Sequence, residues 1–147
     1  MDQKQFKKMM GMVETVAFRL AAELMQRDPD HPIPPFHTRF SGKLEGAIGS
    51  AFQSFDGKYV IEPLDKRFAA LFYYMTRGHC FSNGNKRLAL ATLFTMLYLH
   101  KKWLRASDQE CYALSQRVAV SPKEKKDEVI NWVYVFLKER SFILPGA

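Results

Sequence analysis

The sequence predicts an all-α fold carrying one small β-hairpin, and three observations point there. Apolar residues recur at three- and four-residue steps through most of the chain, the period of a helix with one buried face. The segment from Leu88 to Leu99 is apolar apart from Thr92 and Thr95 and suits the central helix of a bundle, against which the other helices are expected to pack. Asp56-Gly57, between Phe55 and the run Tyr59, Val60, Ile61, is the strongest short-range hairpin signal in the chain.

The first helix starts at Asp2, with Gln5 placed to complete a capping box, and its apolar face holds Phe6, Met9, Met10, Val13, Val16, Ala17, Leu20 and Leu24. Pro29, Pro32, Pro34 and Pro35 stop it and force an extended connector. A short helix from Ser41 to Phe52 turns Leu44, Ala47, Ile48 and Ala51 inward and is weakened by Gly46 and Gly49. After the hairpin, Pro63 fits the first turn of a helix that runs to about Gly78, with Leu64, Phe68, Leu71, Phe72 and Met75 as its core stripe. The apolar helix begins at Asn85. Two further helices start at the capping-box pairs Ser107 with Glu110 and Ser121 with Glu124, the second ending near Arg140; the tail from Ser141 has no periodicity.

At 147 residues the chain is long enough for one domain, spanning 1–147, and too short for two. Hydrophobic residues at 47% and charged residues at 25% exclude disorder and collagen, and two cysteines, Cys80 and Cys111, are too few for a disulfide framework. A reducing cytoplasm is the expected location. The longest apolar run falls short of the ~20 residues a membrane span needs, and no secretory segment is evident, so no membrane association is expected. The net charge of +7 allows anionic partners, either nucleic acid or nucleotide phosphates. Lysines at 7 and 8, 101 and 102, and 125 and 126 fall on different helices without interleaved aromatics, which disfavours nucleic acid.

The stretch His79-Cys80-Phe81-Ser82-Asn83-Gly84-Asn85-Lys86-Arg87 connects two predicted helices with an imidazole, two amides and two cations. Gly84 ends the loop and Asn85 opens the next helix. Unpaired backbone N–H groups and the positive dipole end then lie beside Lys86 and Arg87, which makes an anion site suited to phosphate. A histidine imidazole is the usual general base near neutral pH, so His79 is a candidate to take a proton from a hydroxyl held against that phosphate. Phe81 anchors the loop in the core. Taken singly these residues have ordinary explanations; their order and density favour the phosphate site.

The stretch resembles the signature of the Fic/Doc family, which reads His, any residue, Phe, any residue, Asp/Glu/Asn, Gly or Ala, Asn, Gly or Lys, Arg. Upstream, KLEGAIGSAFQSFDGKY and the LDKRFAALFYYM helix resemble the Doc-like, death-on-curing branch, over residues 38–140 in all. The resemblance implies a compact, mainly helical Fic-type domain that moves part of a nucleotide onto a protein hydroxyl. In Fic enzymes that part is AMP from ATP; in Doc toxins it is the γ-phosphate of ATP, carried to a translation elongation factor. It implies His79 as the general base, Asn83 at the position of the usual acidic Mg²⁺ ligand, and Gly84, Asn85, Lys86 and Arg87 as the phosphate cradle. Phe55, Asp56, Gly57, Lys58 and Tyr59 correspond to a flap that clamps target backbone by strand addition.

Lys86 stands where AMP-transferring members carry glycine, which favours the Doc-like mode. Asn83 offers a neutral oxygen where Mg²⁺ prefers a charged one, so weak metal affinity or a nucleotide-binding pseudoenzyme are alternatives. The resemblance also implies a small antitoxin. Arg77 is a secondary candidate for a nucleotide contact. His31, His37, His100, Cys80 and Cys111 lack the spacing of a zinc site. Ser41 with Glu45-Gly46 loosely resembles the autoinhibitory glutamate switch of some Fic proteins, but its place just before the flap is wrong for that role.

Overall fold

The computed structural model describes residues 1–24 and 34–146. Helix α1 (Gln3–Met12) begins with the expected capping box: Asp2 accepts the Gln5 N–H at 2.7 Å and Gln5 accepts the Asp2 N–H at 3.0 Å. It does not continue as a plain α-helix. A π-turn over Val13–Ala17 leads into α2 (Phe18–Leu24), and the wider turn shifts the side-chain register. Val13 and Ala17 are buried, whereas Val16, expected on the apolar face, is 48% exposed. The predicted breaks at Pro29 and Pro32, and His31 with them, lie outside the described residues.

Helix α3 (Lys43–Ala51) follows Gly42, whose φ of 77° is open to glycine, and buries the four expected residues Leu44, Ala47, Ile48 and Ala51. The hairpin is where the sequence predicts it. Strands β1 (Ser54–Phe55) and β2 (Lys58–Tyr59) pair antiparallel, Ser54 opposite Tyr59, and Asp56 (φ 51°) and Gly57 (φ 77°) both take the left-handed conformation that a tight hairpin turn requires.

Helix α4 (Leu64–Arg77) starts one residue after Pro63, which precedes the first turn instead of occupying it. Arg67 is buried in it, donating to Ile61 O at 2.9 Å and lying 4.0 Å above the Tyr59 ring, so the base of the hairpin is fixed to the helix. Helix α5 (Asn85–Leu99) is apolar as expected, but α4 is the hub. It packs against α3, α5 and the two C-terminal helices α6 (Asp108–Val120) and α7 (Lys126–Arg140). The reason lies in its side chains: Ala69 and Ala70 allow close approach beside Phe68, Leu71 and Phe72, while α5 leaves Tyr98 and Leu99 exposed at its far end.

Ser107 and Glu110 form the predicted box at the start of α6. The second predicted box, Ser121 with Glu124, does not form. Ser121 Oγ donates to Val118 O at 2.7 Å, a 3₁₀ turn over Lys123–Lys125 intervenes, and α7 begins without a side-chain cap. The tail also differs from expectation. Strand β3 (Lys102–Leu104) pairs antiparallel with β4 (Ser141–Ile143), joining the end of α5 to the end of α7. Three-residue strands far apart in sequence leave no alternation and no turn signal. Phe68, Phe72, Phe81, Leu93, Leu97 and Leu137 belong to one shared core cluster. No described helix is long and apolar enough to cross a membrane.

Candidate active site

The loop between α4 and α5 is built from two fixed ends. Helix α4 stops at Gly78, whose N–H donates to Tyr74 O at 2.7 Å; a Cβ there would lie 2.5 Å from that same oxygen, so only glycine fits. The next residue, His79, is exposed and has a φ of 48°, a conformation side-chain-bearing residues seldom adopt and one that recurs at functional sites. Phe81 then enters the core, its ring 6.0 Å from that of Phe18 and 6.1 Å from that of Phe36. Cys80 O accepts the Phe40 N–H at 2.9 Å. The Asn85 amide closes the loop: its oxygen accepts the Phe81 N–H at 2.9 Å and its nitrogen donates to Phe81 O at 2.8 Å. Gly84, with a φ of 77°, turns the chain into α5.

His79, Asn83, Gly84, Asn85, Lys86 and Arg87 all line one cavity of about 1050 Å³. Its other walls include Leu20 of α2, Leu90 and Phe94 of α5, Trp103 of β3, and Cys111 and Tyr112 of α6. Arg77, Lys86 and Arg87 face a single carboxylate among the lining residues, Asp108, so the cavity favours an anion. Arg87 Nη1 is buried without a hydrogen-bond partner, and so is Thr76 Oγ1 on another wall. A buried donor of this kind calls for an acceptor. The first N–H groups of α5 have no acceptor within their own helix and add to the same end of the cavity.

The predicted residues thus gather, though they divide the work differently from expectation. Asn85 lines the cavity, but its side chain is spent on fastening the loop, leaving only its backbone for an anion. Arg77, expected to reach the nucleotide, has Nη1 committed to the carbonyl end of α6: Val118 O at 3.3 Å, Ala119 O at 3.4 Å, and both oxygens of Ser121. Lys86 Nζ donates to Gln116 Oε1 at 2.7 Å. The hairpin residues Phe55 to Tyr59 do not line the cavity; Phe55 stands 80% exposed at the hairpin. Glu45 is paired with Arg39 at 2.9 Å and is not a wall of the cavity, in keeping with an ordinary short helix.

Asn83 Oδ1 accepts the Gly84 N–H at 2.9 Å, and no group of three or more His, Cys, Asp or Glu residues among those described could hold a metal. These residues do not fit a resident Mg²⁺ site, since a neutral amide oxygen already in a hydrogen bond is a poor partner for a hard cation. Burial pushes the Cys80 thiol up to about 11, which removes it as a nucleophile, and burial raises Cys111 also. Thr76, Trp103, Tyr112 and Gln116 carry no local sequence signal; they reach the site through tertiary packing.

Fold and cavity define a mainly helical domain in which a histidine and several cationic side chains line one cavity. The Fic/DOC family profile matches residues 9–97, and the chain belongs to that family. The match begins within α1 and ends within α5, a different span from the 38–140 over which the resemblance was expected. The family consists in general of enzymes that transfer nucleotide-derived groups to proteins. No curated protein and no solved structure is significantly similar to the chain.

Proposed function

We propose that the chain is a Doc-like toxin that transfers the γ-phosphate of ATP to a hydroxyl of a protein target, with a translation elongation factor as the expected class of target. The observation that supports this best is the cavity that His79 and Arg87 both line at the start of α5, with Arg87 Nη1 buried and without a hydrogen-bond partner. In this reading the target oxygen attacks the γ-phosphorus, the bond to the β–γ bridging oxygen breaks, His79 takes the hydroxyl proton, and ADP leaves. Arg87 and the α5 N–H groups balance the charge that spreads over the phosphoryl oxygens. Mg²⁺ belongs to the incoming nucleotide as part of the substrate.

Lys86 supports phosphate over AMP as the transferred group, because a lysine replaces glycine in the first turn and adds a full positive charge there. The hairpin serves as the target clamp: each of its strands has one neighbour, and Asp56, Gly57 and Lys58 are exposed beside Phe55. A small antitoxin completes this reading in a cytoplasmic setting. The experiment is incubation with cytosolic protein and ATP labelled at either the α- or the γ-phosphate. Label from γ alone is expected. Label from α alone would establish AMP transfer instead, and ATP binding without any transfer would establish a pseudoenzyme.

A further inference from the structure

We infer that Gln116 of α6 is a positioning residue that aims the Lys86 ammonium into the cavity, an inference that rests on the nucleotide reading of that site. Lys86 Nζ donates to Gln116 Oε1 at 2.7 Å, and Gln116 Nε2 donates in turn to the Tyr112 hydroxyl at 2.9 Å. Both ends of the amide are therefore used, which fixes its orientation. Lys86 and Tyr112 line the cavity and Gln116 does not, so the amide lies beside the lining and bonds two of its residues.

The chemistry of the partner is informative. A lysine head has three donors on a flexible stem, and one bond to Gln116 leaves two for a ligand. Among the described residues no carboxylate forms an ion pair with Lys86. A neutral acceptor holds the ammonium in place without cancelling its charge, which is what binding a polyanion demands. A glutamate in the same place would hold it equally well and neutralise it.

Two substitutions separate direction from charge. Gln116→Met removes the acceptor at similar size and leaves Lys86 charged but unrestrained; Gln116→Glu restrains and neutralises it. Binding of inorganic tripolyphosphate and of Mg-ATP is measured by titration calorimetry, with thermal unfolding as the control for folding. About tenfold weaker binding of tripolyphosphate is expected for Gln116→Met, more for Gln116→Glu, with unchanged unfolding temperature. In a Lys86→Met background neither change should have further effect, because the pair then shares nothing to lose. Equal binding by wild type and Gln116→Met, or an undiminished loss in the Lys86→Met background, overturns the inference. If wild type binds neither polyphosphate nor Mg-ATP, the nucleotide reading itself is overturned; if wild type binds and only Lys86→Met weakens it, that reading stands and the role of Gln116 falls.

Discussion

At the scale of single residues, the site rests on side chains whose neighbours decide what they are free to do. His79 is exposed, held in a left-handed conformation between Gly78 and the buried Cys80, and placed on the cavity wall, where the proposed transfer needs a base. Replacing it with alanine should lower transfer by 10² to 10⁴, a magnitude typical of losing a general base, with unfolding temperature unchanged. Full activity in a folded His79→Ala protein would remove the mechanism. Asn83→Asp is expected to lower the Mg²⁺ concentration for half-maximal activity, because a carboxylate then meets a cation that arrives with the nucleotide. An unchanged Mg²⁺ dependence would place Asn83 away from the metal. That both residues would lie together at the loop was legible in the sequence; their roles come from the family resemblance of that stretch. The tasks of Asn85 and Arg77 were not, because an amide or guanidinium can serve backbone or ligand equally well until the fold brings Phe81 O or the α6 carbonyls within reach.

At the scale of elements, helix starts were readable where capping is local. Asp2 with Gln5 and Ser107 with Glu110 form their boxes because every partner lies within one turn. Ser121 with Glu124 has the same spacing and fails, since Ser121 is claimed by Val118 and by Arg77 from another helix. The π-turn at Val13 and the β3–β4 pairing were unreadable for a related reason: both answer to packing across the fold. Within the box of α6, the backbone N–H of Ser107 first, and then Arg140, hold the Glu110 carboxyl below the usual carboxylate range. The stabilisation from this lowered carboxyl is fully present above its ordinary value of 4.5 and fades as pH falls through the lower folded value. Glu110→Gln should flatten that acid limb of a stability-against-pH curve; an identical curve would show the box to be inert. The loop between α4 and α5 depends on Asn85 in the same local way. Asn85→Ala strips two hydrogen bonds from a partly buried Phe81 backbone and is expected to cost about 1–3 kcal/mol in denaturant unfolding. Asn85→Asp, which keeps the acceptor for the Phe81 N–H, should fall between the two.

At the scale of the whole molecule, the charge of +7 has two competing outlets, a long polyanion across the surface or a compact one in the cavity. The geometry favours the second. Surface lysines are scattered over separate helices, turns and strands, Lys101 and Lys102 lying in a turn and in β3 and not on a helix as expected. Arg117, Lys126 and Lys138 lie over the rings of Trp132, Tyr74 and Tyr134, whereas Lys86 and Arg87 both stand at the start of α5 with a buried Arg87 donor unpaired. A ligand bound there touches α4, α5 and α6 together and therefore stabilises the fold as a unit. At a hundredfold excess over its dissociation constant, Mg-ATP should add about 2.7 kcal/mol. For a chain of this length that corresponds to a rise of roughly 5–10 °C in Tm. Arg87→Met should abolish most of the rise, because the orphaned Nη1 goes with it. A single-stranded oligonucleotide should raise Tm little, and whatever it adds should vanish steeply as salt increases. The reverse pattern, a large oligonucleotide shift that survives Arg87→Met beside a negligible one for Mg-ATP, would move the function from the cavity to the surface.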